Sequence, residues 1–171
     1  KFSEKNNLPV RNSDNLNNDK EYNFIKSLSA DIAVVVAYGK LIPKDILKTT
    51  KLGFINIHAS LLPKWRGAAP IQRAIMNGDK IIGVSIMKIE EELDCGPIIA
   101  SRELELDTSA TYGETAKKLS ETGANLLIES LKKIESGNLK FVEQEHSEAT
   151  YAKKINKKEA KINWNSSADK V

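Results

Sequence analysis

The 171-residue chain is 40% hydrophobic and 29% charged, a balance that fits one domain able to bury its own core. Its net charge of +3 is too small to argue for nucleic acid by itself, and its single cysteine, Cys95, excludes an internal disulfide and a Cys-rich metal framework. No run approaches 18 apolar residues and nothing resembles a signal peptide, so the expected location is the cytoplasm, with no membrane partner.

Residues 1–20 are rich in Asn and charge, with a short apolar "LPV" at 8–10 that suggests a brief strand. Tyr22, Ile25 and Leu28 then fall at helical spacing. "DIAVVVAYG" is a continuous β-branched run without alternation, which predicts a strand buried on both faces. Pro43 opens a short helix in "PKDILKTT", and "GFINIH" is the next buried strand. "AAPIQRAIMNG" predicts a helix closed by Gly78. "IIGVSIMKIE" and "GPIIASRELEL" are two strands joined by the polar loop "EELDCG". From Thr111 to about Gly137 one long helix carries Leu119, Leu126, Leu127, Leu131 and Ile134 on its apolar stripe. This alternation gives an α/β fold with a mostly parallel sheet flanked by helices, and the strands after Gly78 as candidates for antiparallel pairing.

The basic character lies at the C-terminal end. Residues 151–171 hold six lysines against Glu159 and Asp169, a net of +4, which leaves 1–150 at −1. The expected division is therefore a domain over 1–150 followed by a basic linker over 151–171. The chain starts at Lys1 and stops as "SSADKV" begins a helical pattern, so it reads as a piece of a longer polypeptide cut at both ends.

Asn56 and His58 interrupt an apolar strand. In a strand, residues i and i+2 share a face, so the two project together about 7 Å apart. They stand at the carboxyl end of the strand, where open α/β sheets bind ligands. An imidazole serves as acid or base near neutral pH, and an amide donates to an oxygen that gains charge during attack on a carbonyl. Two satisfied structural side chains would look the same in the sequence. Asp94, in the loop between two strands, reads either as an ordinary turn carboxylate or as the group that orients His58 and favours its protonated form.

"NIHASLLPKWRGAAPIQ" followed by "GVSIMKIEEELDCGPII" resembles the formyltetrahydrofolate-dependent formyltransferase family. The family pattern is Asn-x-His, then Ser-Leu-Leu-Pro, then Leu-Asp-x-Gly, and here Asp94 follows His58 by 36 residues as that pattern requires. "WRGAAPIQ" and "ATYAKKINKKEAKINW" favour the branch that formylates methionyl-tRNA, and the resemblance covers nearly all of 20–171. Ala59 stands where glycine or proline is usual, and Glu92 and Cys95 replace Gly and Thr. If position 92 needs a glycine-only backbone angle, Glu92 forces a different loop path.

The resemblance implies a partial Rossmann-like domain that moves a formyl group from the co-substrate 10-formyltetrahydrofolate to methionyl initiator tRNA, without a metal. It implies catalytic roles for Asn56, His58 and Asp94. A folate pocket would be built from the main chain of Lys40, Leu41 and Ile42 and of Glu91, Glu92, Leu93 and Asp94. Ser60, Leu61, Leu62, Pro63 and Arg66 would position the acceptor. It also implies a C-terminal β-barrel domain beyond Val171 and a monomeric full-length protein. A formyltransferase for an amino sugar or a phosphoribosyl amine shares the triad, and Glu92 leaves room for a folate- or tRNA-binding module without catalysis. Trp65 and Arg66 either touch the acceptor end of the tRNA or cap the loop. Lysines 153–161 either track phosphates or form a solvated face. Cys95 reads as inert packing and His146 as a solvated loop residue.

Overall fold

Caps and β-branched runs set the elements of the computed structural model, which describes residues 2–107 and 109–168. Helix α1 (Phe2–Lys5) is one turn, and α2 (Asp19–Ser27) begins where the Asn18 side chain accepts from the Glu21 N–H at 3.0 Å. Strand β1 (Ala33–Val36) and helix α3 (Lys44–Leu47) lead to strand β2 (Phe54–His58). A short strand β3 (Arg66–Gly67) precedes helix α4 (Pro70–Asn77), which ends on Gly78 in the left-handed conformation. Strands β4 (Ile81–Lys88) and β5 (Ile98–Glu105) form a hairpin, and helix α5 (Tyr112–Glu135) follows. A capping box starts α5: the Thr111 hydroxyl accepts from the Glu114 N–H, and the Glu114 carboxylate accepts from the Thr111 N–H. Strand β6 (Tyr151–Ala152) lies between two 3-10 turns, His146–Glu148 and Lys157–Ala160.

The main sheet has the order β1-β2-β4-β5, and β3 pairs in parallel with β6 in a second, two-stranded sheet. The α/β class is as expected, and so is antiparallel pairing after Gly78. The proportion is not. β1 and β2 run parallel, whereas β2–β4 and β4–β5 are antiparallel. The link from Lys88 to Ile98 is too short for the crossover of about a dozen residues that a parallel pair needs.

Helix α5 covers one face of this sheet. Leu119 packs with Val84 and Ile82, and Leu126 with Ile55 and Ile86, while Leu127, Leu131 and Ile134 extend the second cluster. Strand β1 departs from the expectation of burial on both faces: Val34 is 40% and Val36 60% exposed. It is the edge strand among the described residues, and its outward valines have no cover there. The "LPV" segment is no strand either. Leu8 and Val10 are exposed in a loop without a pairing partner among the described residues, which is what a strand requires. The helical pattern suspected in "SSADKV" lies partly outside the described residues.

Candidate active site

Strand β2 sorts its side chains by parity. Ile55 and Ile57 pack toward α5, so Asn56 and His58 share the opposite face. His58 is buried, and its Nε2 lies 2.9 Å from the Trp65 carbonyl oxygen. A carbonyl only accepts, so Nε2 carries the hydrogen. Asp94 Oδ2 stands 3.7 Å from Nδ1, an ion-pair distance slightly longer than a hydrogen bond. Asn56 is half-buried, and its side-chain carboxamide makes no hydrogen bond among the described residues. The strand period placed Asn56 beside His58, the resemblance added Asp94, and the fold does bring His58 and Asp94 into contact.

Asp94 is held in an uncommon conformation, with φ at 49°. Its Oδ2 accepts from the Gly67 N–H at 2.8 Å, and its carbonyl accepts from Gln144 Nε2 at 3.0 Å. The same Gln144 nitrogen donates to the Gly96 carbonyl at 2.7 Å. Arg66, expected at the substrate, is 3% exposed. Its Nε and Nη2 donate to Gln144 Oε1 at 3.0 and 2.7 Å, and its terminal nitrogens lie 3.3 and 3.4 Å from His146 Nδ1. The guanidinium thus braces the Asp94 loop from within and turns no free edge outward. His146 is solvent-exposed as expected, yet it also meets Arg66.

The segment 59–65 is pinned to the sheet. Ser60 is buried and its hydroxyl donates to the Lys64 carbonyl at 2.6 Å. Ser85 on β4 donates to the Ser60 carbonyl at 2.8 Å and accepts from the Leu62 N–H at 3.1 Å. Leu62 is buried, with Leu61 and Pro63 partly so. Trp65 donates its indole N–H to Asp79 at 2.7 Å. Beyond this segment lies a hollow of about 660 Å³ lined by Leu61, Lys64, Trp65, Asp79, Lys80 and Leu119 among others. None of Asn56, His58 and Asp94 lines it, and Trp65, Asp79 and Asn77 satisfy one another within it.

The two stretches expected to hold folate stand side by side. Lys44, just after Lys40, Leu41 and Ile42, pairs with Glu91 at 2.5 Å. The hydrogen bond to Glu91 raises the Lys44 ammonium above its ordinary range. Lys40 donates to the Asp14 carbonyl, Leu41 is exposed and Ile42 partly buried. Glu91, Glu92 and Leu93 are exposed at the loop tip. Glu92 is not among the residues with positive φ, so a glycine-only angle does not arise there; Asp94 takes a left-handed angle instead. Cys95 is buried, and burial, reinforced by Glu92 and Glu90, pushes its thiol up. A thiol in that state is a poor nucleophile.

Two residues escaped the sequence reading. Gln144 and Ser85 are buried and polar; Gln144 lies outside the quoted motifs, Ser85 lies within one but was given no role there, and only their distant partners reveal them. The sequence profile of the family described as Formyl transferase matches residues 1–131. The chain is 48% identical over 166 residues to a methionyl-tRNA formyltransferase of Pelagibacter ubique, covering 96% of this chain and 54% of that protein. Phosphoribosylglycinamide formyltransferase from Bacillus halodurans superposes with a TM-score of 0.70 at 26% identity, covering 78% of this chain and 72% of that one. The formyltransferase PseJ from Anoxybacillus kamchatkensis, solved with UDP-4,6-dideoxy-4-formamido-L-AltNAc and tetrahydrofolate, gives 0.65 at 26% identity, covering 84% and 70%. The chain spans about half the length of the curated relatives it matches.

Proposed function

Because the chain belongs to the formyl transferase family, we propose that it supplies the catalytic centre of an enzyme that formylates methionyl initiator tRNA. The donor is 10-formyltetrahydrofolate and the acceptor is the α-amine of the esterified methionine. The 48% identity to a methionyl-tRNA formyltransferase, spread over 96% of the chain, carries this reading over the sugar and ribosyl-amine alternatives. Residues 1–150 act as the catalytic domain and 151–171 as a basic linker toward a C-terminal domain. The enzyme works as a monomer in the cytoplasm; among the described residues no helix is long and apolar enough to cross a membrane.

The acceptor amine bonds to the formyl carbon, the carbon's bond to the folate nitrogen breaks, and the amine's proton passes to that nitrogen. Charge builds on the formyl oxygen in between. With Nε2 anchored on Trp65, the Nδ1–H edge of a protonated His58 and the Asn56 amide meet that oxygen. The 3.7 Å separation lets Asp94 neutralise the ring without capturing Nδ1–H in a direct bond. Its carboxylate also relays the amine proton through water. The main chain of 40–42 and 91–94 holds the folate, with Lys44–Glu91 keeping the two loops in register. Ser60, Leu61, Leu62 and Pro63 serve the acceptor by shaping the wall beside it, and Arg66 serves it indirectly, through the Asp94 loop that it braces.

The test is formylation of charged initiator tRNA by the natural-length protein at several salt concentrations. Phosphate contacts make tRNA binding fall steeply with salt, whereas a sugar nucleotide has few such contacts. Lys153, Lys154, Lys157 and Lys158 are exposed and have no carboxylate partner among the described residues. Neutralising all four is expected to raise KM for tRNA and flatten the salt slope, with KM for folate unchanged. Activity on an amino-sugar nucleotide and none on charged tRNA would overturn the reading. Cys95→Ala is expected to leave kcat nearly intact, because a buried thiol with a raised pKa takes no part in the transfer. Loss of activity in that variant, with Asn56→Ala still active, would point to thiol chemistry.

A further inference from the structure

Gln144 is 4% exposed and uses every hydrogen-bonding position of its amide. Its oxygen accepts twice from Arg66, and its nitrogen donates once to the Asp94 carbonyl and once to the Gly96 carbonyl. An amide has two acceptor and two donor positions, so this node is full and rigid.

Its two ends converge on one residue. Arg66 opens β3, and the next residue, Gly67, donates to the Asp94 carboxylate at 2.8 Å. Gln144 therefore ties the Asp94 backbone to the same strand that holds the Asp94 side chain. The tie matters because Asp94 sits at φ 49°, a region that residues with a Cβ avoid, although Asp tolerates it better than most. Relaxation of that angle would swing the carboxylate away from His58 Nδ1, now 3.7 Å off. Of the groups around the loop, Gln144 is the one that grips the carbonyls on both sides of Cys95.

We propose that Gln144 is a positioning residue for the transfer reaction. By holding the Asp94 and Gly96 carbonyls, it keeps Asp94 in the left-handed conformation that faces its carboxylate to His58. The kinetic consequence rests on the formyl-transfer reading; the geometric consequence does not.

Gln144→Glu in the natural-length protein tests it. Glutamate keeps the oxygen that Arg66 needs and gives that buried cation a partner, so the fold should survive. It replaces the donating nitrogen with an oxygen that faces two carbonyls. The expected result is a kcat lowered about 10- to 100-fold, as for a misplaced reacting group, with KM for both substrates within about twofold. Nitrogen NMR of the histidine rings, assigned with His58→Gln, supplies the second readout. The His58 signals should move toward those of Asp94→Asn. Wild-type kcat with unmoved His58 signals overturns the proposal. So does a loss of activity that merely follows a smaller folded fraction while the His58 signals of the folded molecules stay put. If the unsubstituted protein transfers no formyl group, the functional reading fails, and the His58 signals alone decide the role of Gln144.

Discussion

Asn56→Ala, His58→Ala and Asp94→Asn are each expected to lower kcat for formyl transfer about 10²-fold or more, as removal of an oxyanion donor or general acid does. The three differ in what else they disturb. The Asn56 side chain makes no hydrogen bond among the described residues, so truncation leaves no partner orphaned and stability should hardly change. Its KM for folate should also stay near the starting value, since main-chain groups hold that substrate. His58→Ala leaves the Trp65 carbonyl without its donor, so a stability loss of about 1–3 kcal/mol accompanies the kinetic defect. Asp94→Asn is the cleanest variant. Asparagine accepts a left-handed backbone readily, and its side-chain oxygen can still take the Gly67 N–H. What disappears is the negative charge 3.7 Å from the His58 ring. Stopped-flow or single-turnover measurement separates the chemical step from release. Full turnover by Asp94→Asn would remove the electrostatic role assigned to this carboxylate.

Gly96→Ala is expected to destabilise the fold by about 3 kcal/mol, at the upper end for an overpacked buried site. A Cβ there would stand 2.1 Å from the Lys88 carbonyl oxygen, far inside contact distance, and that oxygen belongs to a sheet strand with no rotamer to change. Either β4 moves or the loop does. If the loop yields, the Gly96 carbonyl leaves Gln144 and activity falls with stability. Gly113→Ala supplies the opposite sign. Its nearest neighbour is the Thr111 hydroxyl at 4.0 Å, its φ is not positive, and it lies in the first turn of α5. Alanine there should add about 0.4–1 kcal/mol by restricting the unfolded chain. Urea unfolding of both variants checks the pair; equal effects would show that local space does not decide the outcome.

Much of the site is legible in the sequence because it is written in short-range order. Asn56 and His58 sit two apart in an apolar strand, and a period of two is enough to put them on one face. The stripe from Leu119 to Ile134 marks α5 by the same kind of local rule. Asp94 was found through its place in a motif, since no periodicity links it to His58.

By itself, then, the sequence determined α2, β1, α3, β2, α4, β4, β5 and α5, the faces of β2 and α5, and the end of the strand at which the polar pair emerges. Those follow from dihedral preferences and side-chain periodicity within about one turn or one strand. Only the tertiary structure decided that β4 runs antiparallel to β2, that one face of β1 stays open, and that Arg66 points inward. It also decided that Asp94, and not position 92, takes the left-handed angle. Arg66 and Gln144 are 78 residues apart, and Gln144 and Gly96 are 48 apart. Their bonds depend on which backbone groups the packed sheet leaves to be satisfied, a demand that exists only once β3, β6 and the loop after β4 have met.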